Sequence, residues 1–268
     1  MNTNLFDHND MHILPRFNAL NEPTRQFVPL KTNVKAALAE KHLAILRDPA
    51  TGALYSKDGR KNDPNLPLAR LISENYTANE SMYLCLRQIA ATGQYSGLVS
   101  YADTGLSRYR LTENIRLLNR AGIIARYTEY AAGFYVELAP EAREFLNKGF
   151  SQIYLTDFVK KNLRPDELFF DVTLADDRNS SERYKADLIY RNGDRVKYVC
   201  IAMNPKLPNM ANQIEKIVRF ANRFDGSLSI VISPSADKTA LYNTLRSRLG
   251  YGVRVPNIVP YTQPMLLR

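Results

Sequence analysis

The chain has 268 residues, 45% of them hydrophobic and 24% charged, which suits one large or two modest soluble domains that need no disulfide or metal staples. Its net charge of +9 points toward a polyanionic partner, nucleic acid first. The 3 histidines are His8, His12 and His42, which excludes a three-histidine metal site, a Ser-His-Asp triad and histidine base catalysis in the body of the fold.

Cys85 and Cys200 lie in apolar runs without CxxC spacing and read as thiols of a reducing compartment. No apolar run reaches about 18 residues and no signal-peptide pattern opens the sequence. A cytoplasmic protein with no membrane contact is expected.

Residues 1–64 are expected to form an N-terminal arm. It is polar, broken by Pro15, Pro23 and Pro29, and carries a short helix over Lys35–Leu46. Gly52 and Asp58-Gly59 then mark the turns of a small hairpin.

Residues 65–149 read as a second unit. Short helices are expected over Pro67–Ser73 and Leu98–Thr104, and a stronger one over Asn79–Thr92. Ser107 can cap a helix whose Leu111, Ile115 and Leu118 fall on one face, with Gly122 as its stop. Two strands follow around Ala132-Gly133, then a closing helix from Pro140. Helix, helix, basic helix and hairpin is the order of a winged helix-turn-helix. Arg108, Arg110, Asn114 and Arg116 on the basic helix are the candidate groove readers, and Arg126 on the hairpin a candidate phosphate contact. Winged helices also mediate protein contacts, and arginines also serve simply as a solvated helix face.

Residues 150–268 change rhythm. A helix is expected over Tyr154–Leu163, a strand over Glu167–Thr173, a hairpin over Tyr184–Met203 turning at Asn192-Gly193-Asp194, an amphipathic helix over Asn209–Phe224 and a buried strand over Ser227–Ser233. A helix from Ser235 and a short strand at Asn257–Tyr261 end the chain. The fold class is therefore α/β, in the α+β sense, with the hairpin antiparallel and a helical crossover before the next strand.

The order αβββαβ, with Asp187 on its second strand and Lys206 after its third, resembles the restriction-endonuclease-like PD-(D/E)XK domain. With the winged helix before it, the chain from about Leu66 resembles the replication-relaxation family, which is similar to MobC-type plasmid mobilisation relaxases. The resemblance implies a site-specific relaxase or endonuclease that nicks plasmid or mobile-element DNA by Mg²⁺- or Mn²⁺-dependent phosphodiester cleavage. It implies double-stranded DNA with an origin-of-transfer-like site as the partner, and leaves open a relaxosome accessory protein and a homodimer. Asp187 would be the primary metal ligand, and Glu167 or Asp171 an outer one. Lys206 would orient the nucleophile or stabilise charge, and Gln213 would contact phosphate or water.

Ala202 then stands where the family's second carboxylate is expected, and an alanine binds no metal. Three readings stay open: a Glu-to-Ala substitution introduced to trap an uncleaved complex, a natural loss of activity with DNA binding kept, and an accidental likeness. A tyrosine nucleophile at Tyr127, Tyr130 or Tyr135 is disfavoured, because relaxases of that type rely on a histidine cluster. The competing class is a non-catalytic winged-helix regulator or replication initiator.

Overall fold

The computed structural model describes residues 32–39, 43–45, 64–176, 178, 183–192, 195–203, 211–224 and 228–267. The described residues fall into two compact units, one from Pro64 to Ile153 and the other from Tyr154 onward together with the described pieces before residue 46. The expected turns at Gly52 and Asp58-Gly59, the arm before Thr32, and Lys206 lie outside the described residues.

In the first unit α2 (Leu66–Glu74) and α3 (Tyr76–Ala91) precede β2 (Ser96–Ser100), α4 (Tyr101–Thr104), α5 (Arg108–Arg120), β3 (Ile124–Tyr130) and β4 (Gly133–Leu138). A short α6 (Ala142–Glu144) and a π-helical turn at Phe145–Gly149 lead into α7 (Phe150–Phe158). The strands form an antiparallel sheet in the order β2-β4-β3.

The helix expected over Leu98–Thr104 is instead a strand followed by one helical turn. Its register pairs Leu98 with Tyr135 and Val99 with Phe134, so sheet pairing overrides the weak local helical spacing. Gly133 makes that pairing possible. It has φ +152°, and a Cβ there would sit 2.3 Å from the Val99 carbonyl oxygen.

Helix α5 forms as its sequence demands. Ser107 Oγ accepts from the Arg110 backbone N–H at 3.3 Å, and Leu111, Ile115 and Leu118 are fully buried. Each of those three side chains contributes about 1.5–3 kcal/mol of burial. The amide of Asn119 donates to the Ile124 carbonyl at 2.8 Å, tying the end of the helix to the first hairpin strand.

The second unit is a mixed α/β structure. Its sheet of six strands runs β1-β5-β6-β7-β8-β9, where β1 is Leu43–Ile45, β5 Glu167–Asp176, β6 Arg183–Asn192, β7 Arg195–Ala202, β8 Leu228–Ile232 and β9 Asn257–Pro260. Pairing is antiparallel from β1 to β7 and parallel from β7 to β9. The parallel steps require crossovers, supplied by α8 (Ala211–Phe224) and α9 (Lys238–Arg248).

One face of this sheet is covered by helices. Ile214, Ile217 and Val218 of α8, Leu241 and Leu245 of α9, and Val34 and Leu38 of α1 (Thr32–Ala39) share a buried cluster with Tyr198, Ala202, Ile230 and Ile232.

Two boundaries differ from expectation. The units divide between Ile153 and Tyr154, inside α7, rather than near Lys148-Gly149. The helix and strand of the expected N-terminal arm belong to the second unit, where β1 adds an edge strand by pairing Ala44 with Ala175. The single helix expected over Lys35–Leu46 stops at Ala39, since its last residues are drawn into that strand.

Candidate functional site

In the first unit α5 lies beside the β3–β4 hairpin. Arg108 donates from Nε to Glu129 Oε1 at 2.7 Å, and its Nη2 lies 2.6 Å from the same oxygen. That hydrogen bond holds the Arg108 guanidinium above its ordinary pKa. The arginine therefore lies across to the hairpin rather than standing free, in a pair exposed enough to contribute little to stability. Arg116 lies 3.5 Å from Glu113 on the same helix, an exposed pair worth little.

Asn114 is not presented outward. Its Nδ2 donates to Asn79 Oδ1 at 2.9 Å, where Asn79 is buried at a kink in α3 with φ −130° and ψ 15°. Among the described residues Arg110 and Arg126 carry guanidinium groups with no ion pair, Arg110 half-buried and Arg126 exposed. Tyr109 is 78% exposed and Tyr130 57%. The structure thus brings Arg108, Arg110, Arg116 and Arg126 to one helix and its adjacent hairpin, and turns Asn114 inward.

In the second unit Asp187 sits where β6 leaves β7. The pairing of the two strands runs from Asn192–Arg195 to Leu188–Val199 and ends there. Past that point the Ile201 N–H donates to Asp187 Oδ2 at 2.6 Å. The carboxylate thus caps a backbone donor at the fork, and Asp187 is 7% exposed. Nothing about this contact requires a metal.

Asp171, on the neighbouring strand, lies across from Asp187 in the β5–β6 register. Asp171 has φ +50°, a left-handed conformation that costs an L-residue on the order of 1–3 kcal/mol. On β5 both Phe169 and Val172 face the helix-covered cluster, and on β6 both Ala186 and Ile189 do. Strict alternation would put neither pair on one face. Two consecutive residues on each strand, Phe170-Asp171 and Asp187-Leu188, therefore turn away from it. Lys185 Nζ lies 3.2 Å from Asp171 Oδ1 on that same far side.

Ala202 faces the other way. It is 1% exposed, pairs with Ile232 and belongs to the apolar cluster under α8 and α9. By alternation Ile201, the neighbour of Ala202 within β7, points toward the side of Asp187, and Met203 follows the strand's end. Both are buried, at 9% and 2% exposure. The strand position beside Asp187 is thus occupied by an isoleucine, which offers no hard oxygen ligand.

Glu167 is also elsewhere. It pairs with Arg191, which follows Asp187 by four residues on β6, roughly 13 Å at about 3.3 Å per residue. Its Oε2 accepts from the Val34 N–H at 3.3 Å, in the first turn of α1, and its Oε1 lies 3.5 Å from Arg191 Nε. A carboxylate at a helix N-terminus is favourable, so its partners account for its burial. Gln213 is exposed on the first turn of α8.

A Mg²⁺ or Mn²⁺ ion does not fit this donor set. Among the described residues no group of three or more His, Cys, Asp or Glu side chains is placed to hold a metal ion. Asp187 has an oxygen committed to Ile201, Asp171 has Lys185 beside it, and Ala202 and Glu167 are turned or removed from both. Spacing along the sequence could not reveal this, because it depends on the pairing register of β6 with β5 and β7.

No family model matches the chain, and no curated protein does. Among solved structures, Can2 from Sulfobacillus thermosulfidooxidans in complex with cyclic tetra-adenylate superposes with a TM-score of 0.57 at 17% identity, covering 88% of this chain and 58% of that one. Protein VC1899 from Vibrio cholerae gives 0.56 at 11% identity, covering 88% and 60%. This chain therefore spans 58% to 60% of the length of those two structures. At such identities the likeness is one of fold.

Proposed function

We propose that this protein is a duplex-DNA-binding protein whose first unit is a winged helix and whose second unit keeps a restriction-endonuclease-like αβββαβ order without a metal-dependent cleavage site. The observation that carries it is the basic helix α5, tied at its end by Asn119 to a hairpin on which Arg126 is exposed. A helix fits the major groove, and a flanking hairpin reaches phosphate. Arg110 is the reader in this arrangement, Arg126 a backbone contact, and Asn114 and Asn119 hold the helix in place. The order α7-β5-β6-β7-α8-β8 supports the endonuclease-like assignment of the second unit. Ile201 beside Asp187, and Ala202 in the apolar cluster, argue for loss of cleavage. Plasmid or mobile-element DNA is the setting that the likeness to the replication-relaxation family implies.

The test is selection of bound duplexes from a random library, followed by anisotropy titration of the selected site. Arg110→Ala is expected to weaken the selected site by about 1–3 kcal/mol and to relax its sequence preference. Equal affinity for all duplexes in the native protein would overturn the reading of a sequence-specific helix. Mg²⁺- or Mn²⁺-dependent nicking of supercoiled plasmid by the native chain, abolished by Asp187→Asn, would establish the relaxase or endonuclease in its place.

A further inference from the structure

The second unit carries a charged surface that neither the helix α5 nor the Asp187 fork uses. Helices α8 and α9 lie side by side on one face of its sheet, where Ile214 and Ile217 share a cluster with Leu241 and Leu245. Two contacts join them near their ends: Arg248 Nη1 lies 3.7 Å from Glu215 Oε2, and the Gly250 N–H donates to Asn222 Oδ1 at 3.1 Å.

With the apolar sides turned into the sheet, the outer sides are basic. Lys216 and Arg219 are exposed on α8, Lys238, Arg246 and Arg248 on α9, and Arg254 just beyond it. The exposed carboxylates described on the two helices and the α9 cap are Glu215, which meets Arg248, and Asp237, which accepts from the Ala240 N–H at 2.9 Å. Lys216 and Arg219 have no ion pair among the described residues. Helical spacing puts both on the side of α8 opposite Ile214 and Ile217. Tyr242 is 47% exposed and Tyr251 fully so.

We infer that the outer surface of α8 and α9 is a second, sequence-independent contact for nucleic-acid phosphates. Its chemistry is that of backbone contact: flexible cations, with exposed amide donors at Asn212 and Asn243 between them. A lipid surface fits it less well, because these helices turn their apolar sides into the sheet and leave no apolar stripe to enter a bilayer. The inference adds an anchoring surface to the DNA-binding reading and stands on separate residues.

The test is the salt dependence of binding to a non-selected duplex. The pairs Lys216→Ala/Arg219→Ala and Arg246→Ala/Arg254→Ala are each compared with the native protein between 50 and 200 mM salt. Each pair is expected to lower the slope of log K against log salt by up to about 1.8, roughly 0.9 for each phosphate no longer neutralised. Preference for the selected site over the non-selected one should not change. If the native chain binds duplex and neither pair moves the slope, this surface does not touch phosphate, while the reading of α5 stands. If the native chain binds no duplex, both fall. Binding to anionic phosphatidylserine vesicles that the same pairs abolish, with duplex binding intact, would overturn the assignment to nucleic acid.

Discussion

Replacing Ala202 by Glu separates the two accounts of the second unit. If position 202 were the missing metal-ligand position, Ala202→Glu would create a carboxylate beside Asp187. The structure predicts damage instead. Ala202 is 1% exposed among Tyr198, Ile230, Ile232 and the apolar side of α8, so the new side chain enters a filled core. Overpacking alone costs about 1–3 kcal/mol. At pH 7 a glutamate with an ordinary pKa near 4.3 must also be protonated to be buried. That is about 2.7 units at about 1.36 kcal/mol each, or roughly 3.7 kcal/mol. The total, about 5–7 kcal/mol, is comparable with the whole stability of many domains. The sign with pH follows from linkage. Burial raises the folded-state pKa above the unfolded one, so the native state binds the extra proton and stability falls as pH rises from about 4.3. Urea unfolding at pH 5 and pH 7 should show a deficit of about 2–4 kcal/mol at the lower pH and the full deficit at the higher. Native-like stability at pH 7, with a further rise on adding Mg²⁺, would refute the placement of Ala202 in the core and restore it as a ligand position.

Three further substitutions test the local reasoning. Asp187→Ala leaves the Ile201 N–H without its acceptor and should cost about 1–3 kcal/mol in urea unfolding, whereas Asp187→Asn keeps a carbonyl oxygen and should cost less than half as much. Equal losses from both would mean that the charge, not the cap, matters. Asn114→Ala removes the bond to buried Asn79 and should lower thermal stability by about 1–2 kcal/mol while changing DNA affinity less than Arg110→Ala does. The reverse ranking would make Asn114 a base reader. Asp176 is held below the usual carboxylate range first by the Arg178 backbone N–H, then by the Arg178 and Arg223 side chains. Its stabilisation is therefore present above the unfolded pKa of about 3.9 and lost as pH falls through the lower folded value. Asp176→Asn should flatten the acid limb of the urea-midpoint curve, and an unchanged limb would show that these contacts do not act in the folded state.

What was legible in the sequence was what is fixed locally. Ser107 followed by Leu111, Ile115 and Leu118 specifies α5 within a dozen residues, and the structure keeps its cap and its buried stripe. The amphipathic run of α8 is legible for the same reason. Strands β1 and β2 were not, because their state comes from distant partners. Ala44 pairs with Ala175, and Leu98 with Tyr135. A helical spacing over so few residues carries little energy against a ladder of backbone hydrogen bonds.

The residues named for a metal are not brought together among the described residues, for a sharper reason. Spacing relates Asp187 to residues near 200 correctly, since the Ile201 N–H does reach its carboxylate. It cannot choose between Ile201 and Ala202, because side chains in a strand alternate and a shift of one residue exchanges the faces. The choice here is made by the register of β6 on β7, which pairs Leu188 with Val199 and is set by the two strands together rather than by Asp187's neighbours in sequence. A motif that spans two strands is thus only as specific as the register between them, and at this fork that register is fixed by the whole β6–β7 ladder from Asn192–Arg195 to Leu188–Val199.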